Sequence, residues 1–200
     1  MKRDRRLVSF VMLLVMLVAG ACSGLTQSDK PAMVKWWLNP VTGLAVTTPA
    51  SGIKAVELSV TAVPGLDTDR ILALSDAAAL KPFIGASWVD YLPDLVASLV
   101  GRSLEASGRF RIDGGSAARG TETCQLHLEL REFFAELEPS GQPGAVQVAM
   151  SGTYQCDSGN VTPLRLSATV PANDQQMKAI VAAFQSAMDK VTIDMLAQIP

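Results

Sequence analysis

The sequence has few of the residues that build catalytic centres, metal sites and nucleic-acid surfaces. It contains one histidine and three cysteines among 200 residues, and aromatic residues make up only 6%. The sequence therefore predicts no metal or cofactor site. With 17 basic and 19 acidic residues the net charge is -2, so no basic field would attract nucleic acid. The 15 glycines and 11 prolines follow no period, which excludes a collagen-like chain.

What the chain does contain is apolar sequence. Hydrophobic residues make up 48% and charged residues 18%, a mixture typical of a folded protein rather than a disordered one. A length of 200 residues fits one ordinary domain. The mean hydropathy of +0.25 is high for a soluble protein, and the excess lies at the N-terminus.

The N-terminus has the three parts of a secretory signal peptide. Residues 1–6 carry four basic side chains and one acidic, Leu7 to Val18 is almost wholly apolar, and small residues follow at 19–21. The apolar run is shorter than the roughly 20 residues that a membrane-spanning helix needs. We predict a cleaved signal over 1–21; the alternative is an N-terminal membrane anchor that stays attached.

The segment that ends at Cys22 sharpens this prediction. Val18 to Cys22 reads Val-Ala-Gly-Ala-Cys and resembles a bacterial lipobox, in which the cysteine receives acyl chains such as palmitate and becomes the first mature residue. Ser23 follows where an Asp would favour retention at the inner membrane in enterobacterial lipoproteins. We therefore expect a lipid anchor at Cys22, on the periplasmic face of the outer membrane. Residues 22–33 then form a lipidated tether, and 34–200 the folded domain.

Hydrophobic periodicity predicts an α/β fold with a single mixed β-sheet packed by two main helices, over 87–107 and 173–197. Asn173 is the expected N-cap of the second helix, with Gln176 in the capping-box position. A long hairpin is expected over 123–156, with a bulge near Glu132 where the apolar parity switches. The predicted strands are 34–38, 54–63, 71–74, 110–112, 123–138, 145–156 and 164–170.

Two cysteines remain in the mature chain, Cys124 and Cys156. An even pair in an oxidising compartment is best interpreted as a disulfide. Both residues lie on the apolar face of the predicted hairpin, whose geometry brings them close together. We therefore predict a bond between them.

No group of residues predicts catalysis. The single histidine, His127, lies opposite the apolar face of its strand and is expected to be exposed. Asp90 and Asp94 are four residues apart on a predicted helix, where two solvated surface carboxylates are the expected arrangement. No serine lies in a nucleophile-elbow context. The sequence thus predicts that the protein is not an enzyme.

Two aromatic pairs are left without a role. Trp36 and Trp37 lie close to the tether, and Phe133 and Phe134 put aromatic rings on both faces of one strand. Core packing with a covered strand edge would explain them; the alternative is a partner or lipid surface, since exposed aromatic residues mark interfaces. The apolar stripe of the last helix is rich in Met, which suggests either a core face or a lipid groove.

Several segments occur in an order that resembles a known family. Six segments follow the lipobox. They are an aromatic-Leu strand, a Val-rich strand ending at Pro, a Leu-Asp…Arg-Ile segment, a Trp before a Leu-Pro helix, a Leu/Glu strand ending near Phe, and a terminal helix. These segments are Cys22, Trp36–Leu38, Val56–Pro64, Leu66–Ile71, Trp88–Leu104, Leu126–Phe134 and 173–197.

In this order and spacing the chain resembles the ABC-type transport auxiliary lipoproteins, a family that includes paraquat-inducible protein C and lipoproteins associated with MCE-domain (mammalian cell entry) transporters. The resemblance implies an α/β sandwich without a catalytic site, and a docking or tethering role in moving lipids between the inner and outer membranes. The implied partners are an MCE protein and, through it, an ABC permease and ATPase. The sequence leaves open whether the protein forms a homo-oligomer. The alternative function is that of a periplasmic lipid-binding carrier or chaperone.

Overall fold

The computed structural model describes residues 32–41, 43–44, 52–75, 78–113, 122–157 and 159–200. The predicted signal peptide, Cys22 and most of the predicted tether lie outside the described residues. Met33–Pro200 cluster as one unit, with eight strands and two helices among the described residues. The strands are β1 Val34–Trp36, β2 Lys54–Ala62, β3 Arg70–Leu74, β4 Leu80–Trp88, β5 Phe110–Ile112, β6 Thr123–Leu137, β7 Pro143–Cys156 and β8 Thr162–Pro171. The helices are α1 Leu92–Ala106 and α2 Met177–Gln198.

The long hairpin of β6 and β7 is the centre of the sheet. Its strands pair antiparallel from Cys124 opposite Cys156 to Leu137 opposite Pro143, and β8 pairs antiparallel with the outer side of β7. Alternate residues of β6 are buried up to Leu130, and the buried parity then shifts to Phe133 and Ala135. The register slips between Leu130 and Glu132, so Arg131 is the extra residue of a bulge. The predicted hairpin and bulge are confirmed.

The other edge of β6 carries two strands one after the other. β2 runs parallel to its first half, with Ala55 opposite Thr123, and β3 runs parallel to its second half, with Ala73 opposite Ala135. The sheet therefore forks along β6. β5 extends the first branch, whereas β4 and then β1 extend the second. Four of the strand pairs are parallel and three antiparallel, so the predicted mixed α/β sheet is confirmed.

Both helices pack against one face of the sheet, but each begins later than predicted. α1 begins at Leu92 rather than at residue 87, because Ser87 and Trp88 belong to β4. Pro93 occupies the first turn, where its missing N–H is not needed. α2 begins at Met177, and its N-cap is Gln176 in extended conformation with no side-chain cap. The predicted Asn173 cap is wrong, because the chain leaving β8 is still non-helical up to Gln176.

β4 is the strand that the hydrophobic pattern did not predict. It contains Pro82 and Gly85, two residues that weaken a strand assignment, and its first residues are exposed. Its last three residues, Ala86 to Trp88, are buried because β1 and β3 flank them and α1 follows.

An aromatic cluster joins the sheet to the terminal helix. Trp88 from β4 meets Phe133 from β6 edge to face at 5.7 Å and Phe184 from α2 at 5.3 Å, while Phe133 and Phe184 stack at 4.8 Å. All three side chains are fully buried, so these elements share one apolar core. The opposite face of β6 carries exposed polar residues. No helix in the described part of the chain is long and apolar enough to cross a membrane.

Candidate functional site

The structure joins Cys124 and Cys156 in the predicted disulfide. The two residues face each other in the β6–β7 ladder, and their sulfur atoms are 2.03 Å apart. The bond closes the open end of the hairpin, opposite the turn at residues 138–142. Glu122 lies beside the two sulfurs, and these three form a candidate metal-ligand group among the described residues. A disulfide offers no thiolate, so this donor set does not fit a metal.

Tyr154 lies against that disulfide. Its hydroxyl donates to Cys124 Sγ at 3.2 Å and is 3.0 Å from Cys156 Sγ, and its ring meets Phe110 edge to face. The pKa of Tyr154 is raised to about 12, chiefly by burial; the nearby Glu122 carboxylate contributes to the rise, and the Arg109 guanidinium opposes it. With its pKa raised in this way, the phenol of Tyr154 stays protonated at neutral pH and remains a hydrogen-bond donor.

The polar residues considered for catalysis lie apart from one another. His127 is exposed on the uncovered face of β6, at a shallow depression whose lining includes Ser151 and Arg165. Asp90 and Asp94 are exposed, and the Asp90 carboxylate accepts the N–H of Tyr91 at 2.8 Å. This placement brings none of these three residues into a shared enclosed site.

The two aromatic pairs have different surroundings. Phe133 belongs to the buried aromatic cluster, so core packing is confirmed for it and the alternative of a partner surface is wrong: Trp88 and Phe184 cover it from other parts of the chain. Phe134 points the other way and is half-buried. Trp36 is also half-buried, and its Nε1 lacks a hydrogen-bond partner.

Trp37 is the member of the two aromatic pairs that is exposed. Its side chain is 48% exposed, and the Arg102 guanidinium of α1 lies over the ring at 5.1 Å from the centroid. Sequence reasoning missed the apolar residues that are exposed in the same part of the fold: Met33, Val34, Ile84, Val89 and Tyr91. For Ile84 the sequence contains a signal, because Pro82 and Gly85 interrupt the strand pattern on either side of it.

The Met-rich stripe of the terminal helix faces the core, as the core-face interpretation expects. Met188 and Met195 of its Met-rich stripe are fully buried in the core. Described residues at the end of β8 and on α2 line a half-open pocket of about 180 Å³; they include Val170, Ala183 and Ser186. Sites that bury drug-sized ligands measure roughly 300–1,000 Å³, so this pocket is too small for a two-chain lipid.

Solved structures share this fold. A crystal structure from Xanthomonas campestris, described under the family model DUF330, superposes with a TM-score of 0.61 at 20% identity and covers 82% of this chain and 91% of its own. A second crystal structure, of an uncharacterized protein, has a TM-score of 0.64 at 10% identity and covers 84% of this chain and 99% of its own. At these identities the likeness shows the fold alone. No curated protein matches the chain.

The family comparison covers most of the domain. The model of the ABC-type transport auxiliary lipoprotein component matches residues 38–195, which include β2 to β8, α1 and most of α2. The match thus spans the disulfide hairpin, the aromatic cluster and both branches of the forked sheet except β1. The chain belongs to the family of ABC-type transport auxiliary lipoprotein components.

Proposed function

We propose that this protein is a lipid-anchored periplasmic component of an MCE-type ABC transport system that moves lipids between the inner and outer membranes. Its part is docking and tethering, without catalysis. The observation that carries the proposal is the family match over residues 38–195, since the family is described as an auxiliary component of ABC-type transport. Its partners are an MCE protein and, through that protein, the permease and ATPase.

The interior of the domain favours docking over carrying lipid. The space between sheet and helices is filled by the side chains of the chain itself, including Trp88, Phe133 and Phe184. The pocket beside α2 has about 180 Å³ of space, too little for two acyl chains. A carrier would need a larger cavity or a large opening of α2 away from the sheet.

The anchor places the domain where a partner from the other membrane can reach it. Acylation of Cys22 holds the chain in one leaflet, and the eleven residues 23–33 span at most about 36–40 Å when extended. Ser23 after the lipidated cysteine favours the outer membrane. The domain therefore stays within that distance of the periplasmic face of the outer membrane.

Affinity purification tests the proposal. The full-length tagged protein is extracted in mild detergent from its native host, and we expect an MCE protein, a permease and an ATPase to be recovered with it. The matched control is Cys22→Ser, which retains the domain but lacks the anchor and is expected to recover less of the same partners.

Native mass spectrometry of the same preparation separates the two functions. Stoichiometric phospholipid bound to the domain, with no MCE protein recovered, would overturn docking in favour of a carrier. Recovery of the MCE protein with no retained phospholipid supports docking.

A further inference from the structure

Exposed apolar residues gather along one edge of the forked sheet. Ten large hydrophobic side chains are exposed on the described surface. Six of them belong to β1, to β4 or to the residues next to these two strands. We call these six the apolar edge: Met33, Val34, Trp37, Ile84, Val89 and Tyr91. Single exposed apolar residues are normal on a protein surface, but a cluster of this size marks an interaction site.

The apolar edge follows the outermost strand of its branch. Val34 to Trp36 of β1 pair in parallel with Ala86 to Trp88 of β4, and the ladder continues where the Val89 N–H donates to the Trp36 carbonyl at 2.9 Å. No described strand pairs with the other side of β1. Each of the six residues thus lies in β1 or β4, or within three residues of one of these two paired strands.

Ile84 is the most exposed of the six residues. Only two residue steps separate Arg70 from Leu72 on β3, whereas five separate their partners Ser87 and Pro82 on β4. The extra residues form a bulge that includes Gly85 at a φ of +76°, a left-handed conformation that glycine adopts without strain. Ile84 lies in this bulge and is 92% exposed. Such exposure of an isoleucine costs solvation free energy, unless another phase or partner covers it.

We propose that the apolar edge rests in the interfacial region of the lipid bilayer to which Cys22 is anchored. The inference rests on the lipid anchor of the proposed function. The chain enters the domain at this edge, since Met33 and Val34 belong to it, and only the nine residues 23–31 separate the lipidated cysteine from the first described residue. The ten Cα-to-Cα steps from residue 22 to residue 32 span at most about 33–36 Å, so the anchor keeps the edge within that distance of the membrane.

The residue types suit a membrane interface. Trp and Tyr are enriched at the level of lipid headgroups, where one end of the ring is apolar and the other wet. Trp37 and Tyr91 supply these rings, and Ile84 and Val34 supply aliphatic side chains. The charges nearby are of both signs: the Lys35 ammonium pairs with the Asp69 carboxylate at 3.1 Å. The Arg102 guanidinium lies over Trp37, and Asp90 is exposed between Val89 and Tyr91. We therefore expect the edge to engage zwitterionic and anionic membranes alike.

Spin labelling of the lipidated full-length protein tests this. Ile84→Cys introduces one free thiol, because Cys22 is acylated and Cys124 and Cys156 share a disulfide. The matched control is Val161→Cys, at a residue that is 52% exposed just before β8, on the opposite edge of the sheet. Both proteins are labelled, reconstituted into phosphatidylcholine vesicles with and without phosphatidylglycerol, and compared with the same proteins in detergent.

We expect the label at position 84 to lose at least about threefold in collision with a water-soluble nickel complex on vesicles and to gain in collision with oxygen. For the label at position 161 we expect no change in collision with either the nickel complex or oxygen. Equal nickel accessibility at both positions overturns the proposal. Spin–spin broadening at 84 that persists in detergent also overturns it, in favour of a second copy of the chain as the occupant of the edge.

The vesicles contain no transport protein, so this result is independent of the transport role. If the label at 84 is protected and no MCE protein is recovered with the native complex, the membrane contact stands and the transport role fails. A protein recovered without acyl groups on Cys22 lacks the anchor and overturns the membrane contact.

Discussion

At the scale of single residues, the buried hydroxyl of Tyr154 makes stability depend on pH. Below pH 10 the tyrosine is protonated in both the folded and the unfolded chain. Between pH 10 and about 12 only the unfolded chain ionises, because burial raises the folded pKa of Tyr154 to about 12. The free energy of unfolding should therefore fall by roughly 2–3 kcal/mol across this window, at about 1.4 kcal/mol per pH unit. Urea unfolding at pH 9 to 12 measures the fall.

The control for this prediction is Tyr154→Phe. The variant keeps the ring beside Phe110 but has no proton to lose. Its stability should decline much less steeply than that of the wild type between pH 10 and 12. An identical slope in both proteins would show that another group controls the alkaline transition.

Arg109 is the second residue with a defined structural task. Its guanidinium donates to the carbonyl oxygens of Leu196, at 2.9 Å, and Ile199, and so satisfies backbone acceptors at the end of α2. Arg109→Ala should lower the free energy of unfolding by about 1.5–3 kcal/mol, the range for hydrogen bonds made by charged groups. Thermal or urea unfolding measures this.

Arg109→Lys is the matched variant for that measurement. Lysine keeps the positive charge near the helix C-terminus but lacks the planar fork that reaches two carbonyls. The free energy of unfolding of Arg109→Lys should lie between that of the wild type and that of Arg109→Ala. Wild-type stability of the alanine variant would contradict the capping role.

At the scale of elements, the hairpin depends on a glycine where its strands approach closely. Gly152 of β7 faces Leu128 of β6, and a Cβ at this position would overlap the His127 carbonyl oxygen and lie 2.9 Å from Leu128 Cδ2. Backbone cannot move aside without breaking the ladder. Gly152→Ala should therefore destabilise the protein by several kcal/mol, seen as a lower urea midpoint.

A second glycine in the same strand supplies the comparison. A Cβ at Gly144 would lie 2.8 Å from Glu138 Cγ, which belongs to an exposed, flexible side chain that can rotate away. Gly144→Ala should cost less than about 1 kcal/mol. If both alanine variants are equally stable, steric overlap with the backbone is not what keeps glycine at position 152.

The disulfide acts on the same hairpin by restricting the unfolded chain. Cys124 and Cys156 are 32 residues apart in sequence, and the chain-entropy relation gives about 3–4 kcal/mol for a loop of this length. Thiol counting on the denatured, unreduced protein should find neither cysteine free. Reduction should lower the free energy of unfolding by that amount. Two titratable thiols in the unreduced protein would contradict the bond.

At the scale of the whole molecule, the lipid anchor determines where the domain works. Cys22→Ser removes the acyl acceptor and leaves the described domain unchanged. We expect the variant to lose its detergent-extractable association with the membrane fraction. Cell fractionation and immunoblotting measure this loss. A variant that stays in the membrane as the wild type does would place the anchor elsewhere in the chain.

The sequence by itself determined most of the secondary structure. Hydrophobic alternation in β6 and β7, and the change of parity that marks the bulge at Arg131, are local properties of the chain. So is the apolar stripe of α2, which is buried from Ile180 to Leu196. Such patterns are readable because each side chain's face follows from its position along one element.

Only the tertiary structure decided which apolar residues are covered. Phe133 and Ile84 are both large and apolar, yet one is buried by Trp88 and Phe184 from distant segments and the other projects from a bulge. The forking of the sheet along β6 and the pairing of β4 with both β1 and β3 are equally non-local. Burial depends on what packs across from a residue, and periodicity within one strand contains no information about that partner.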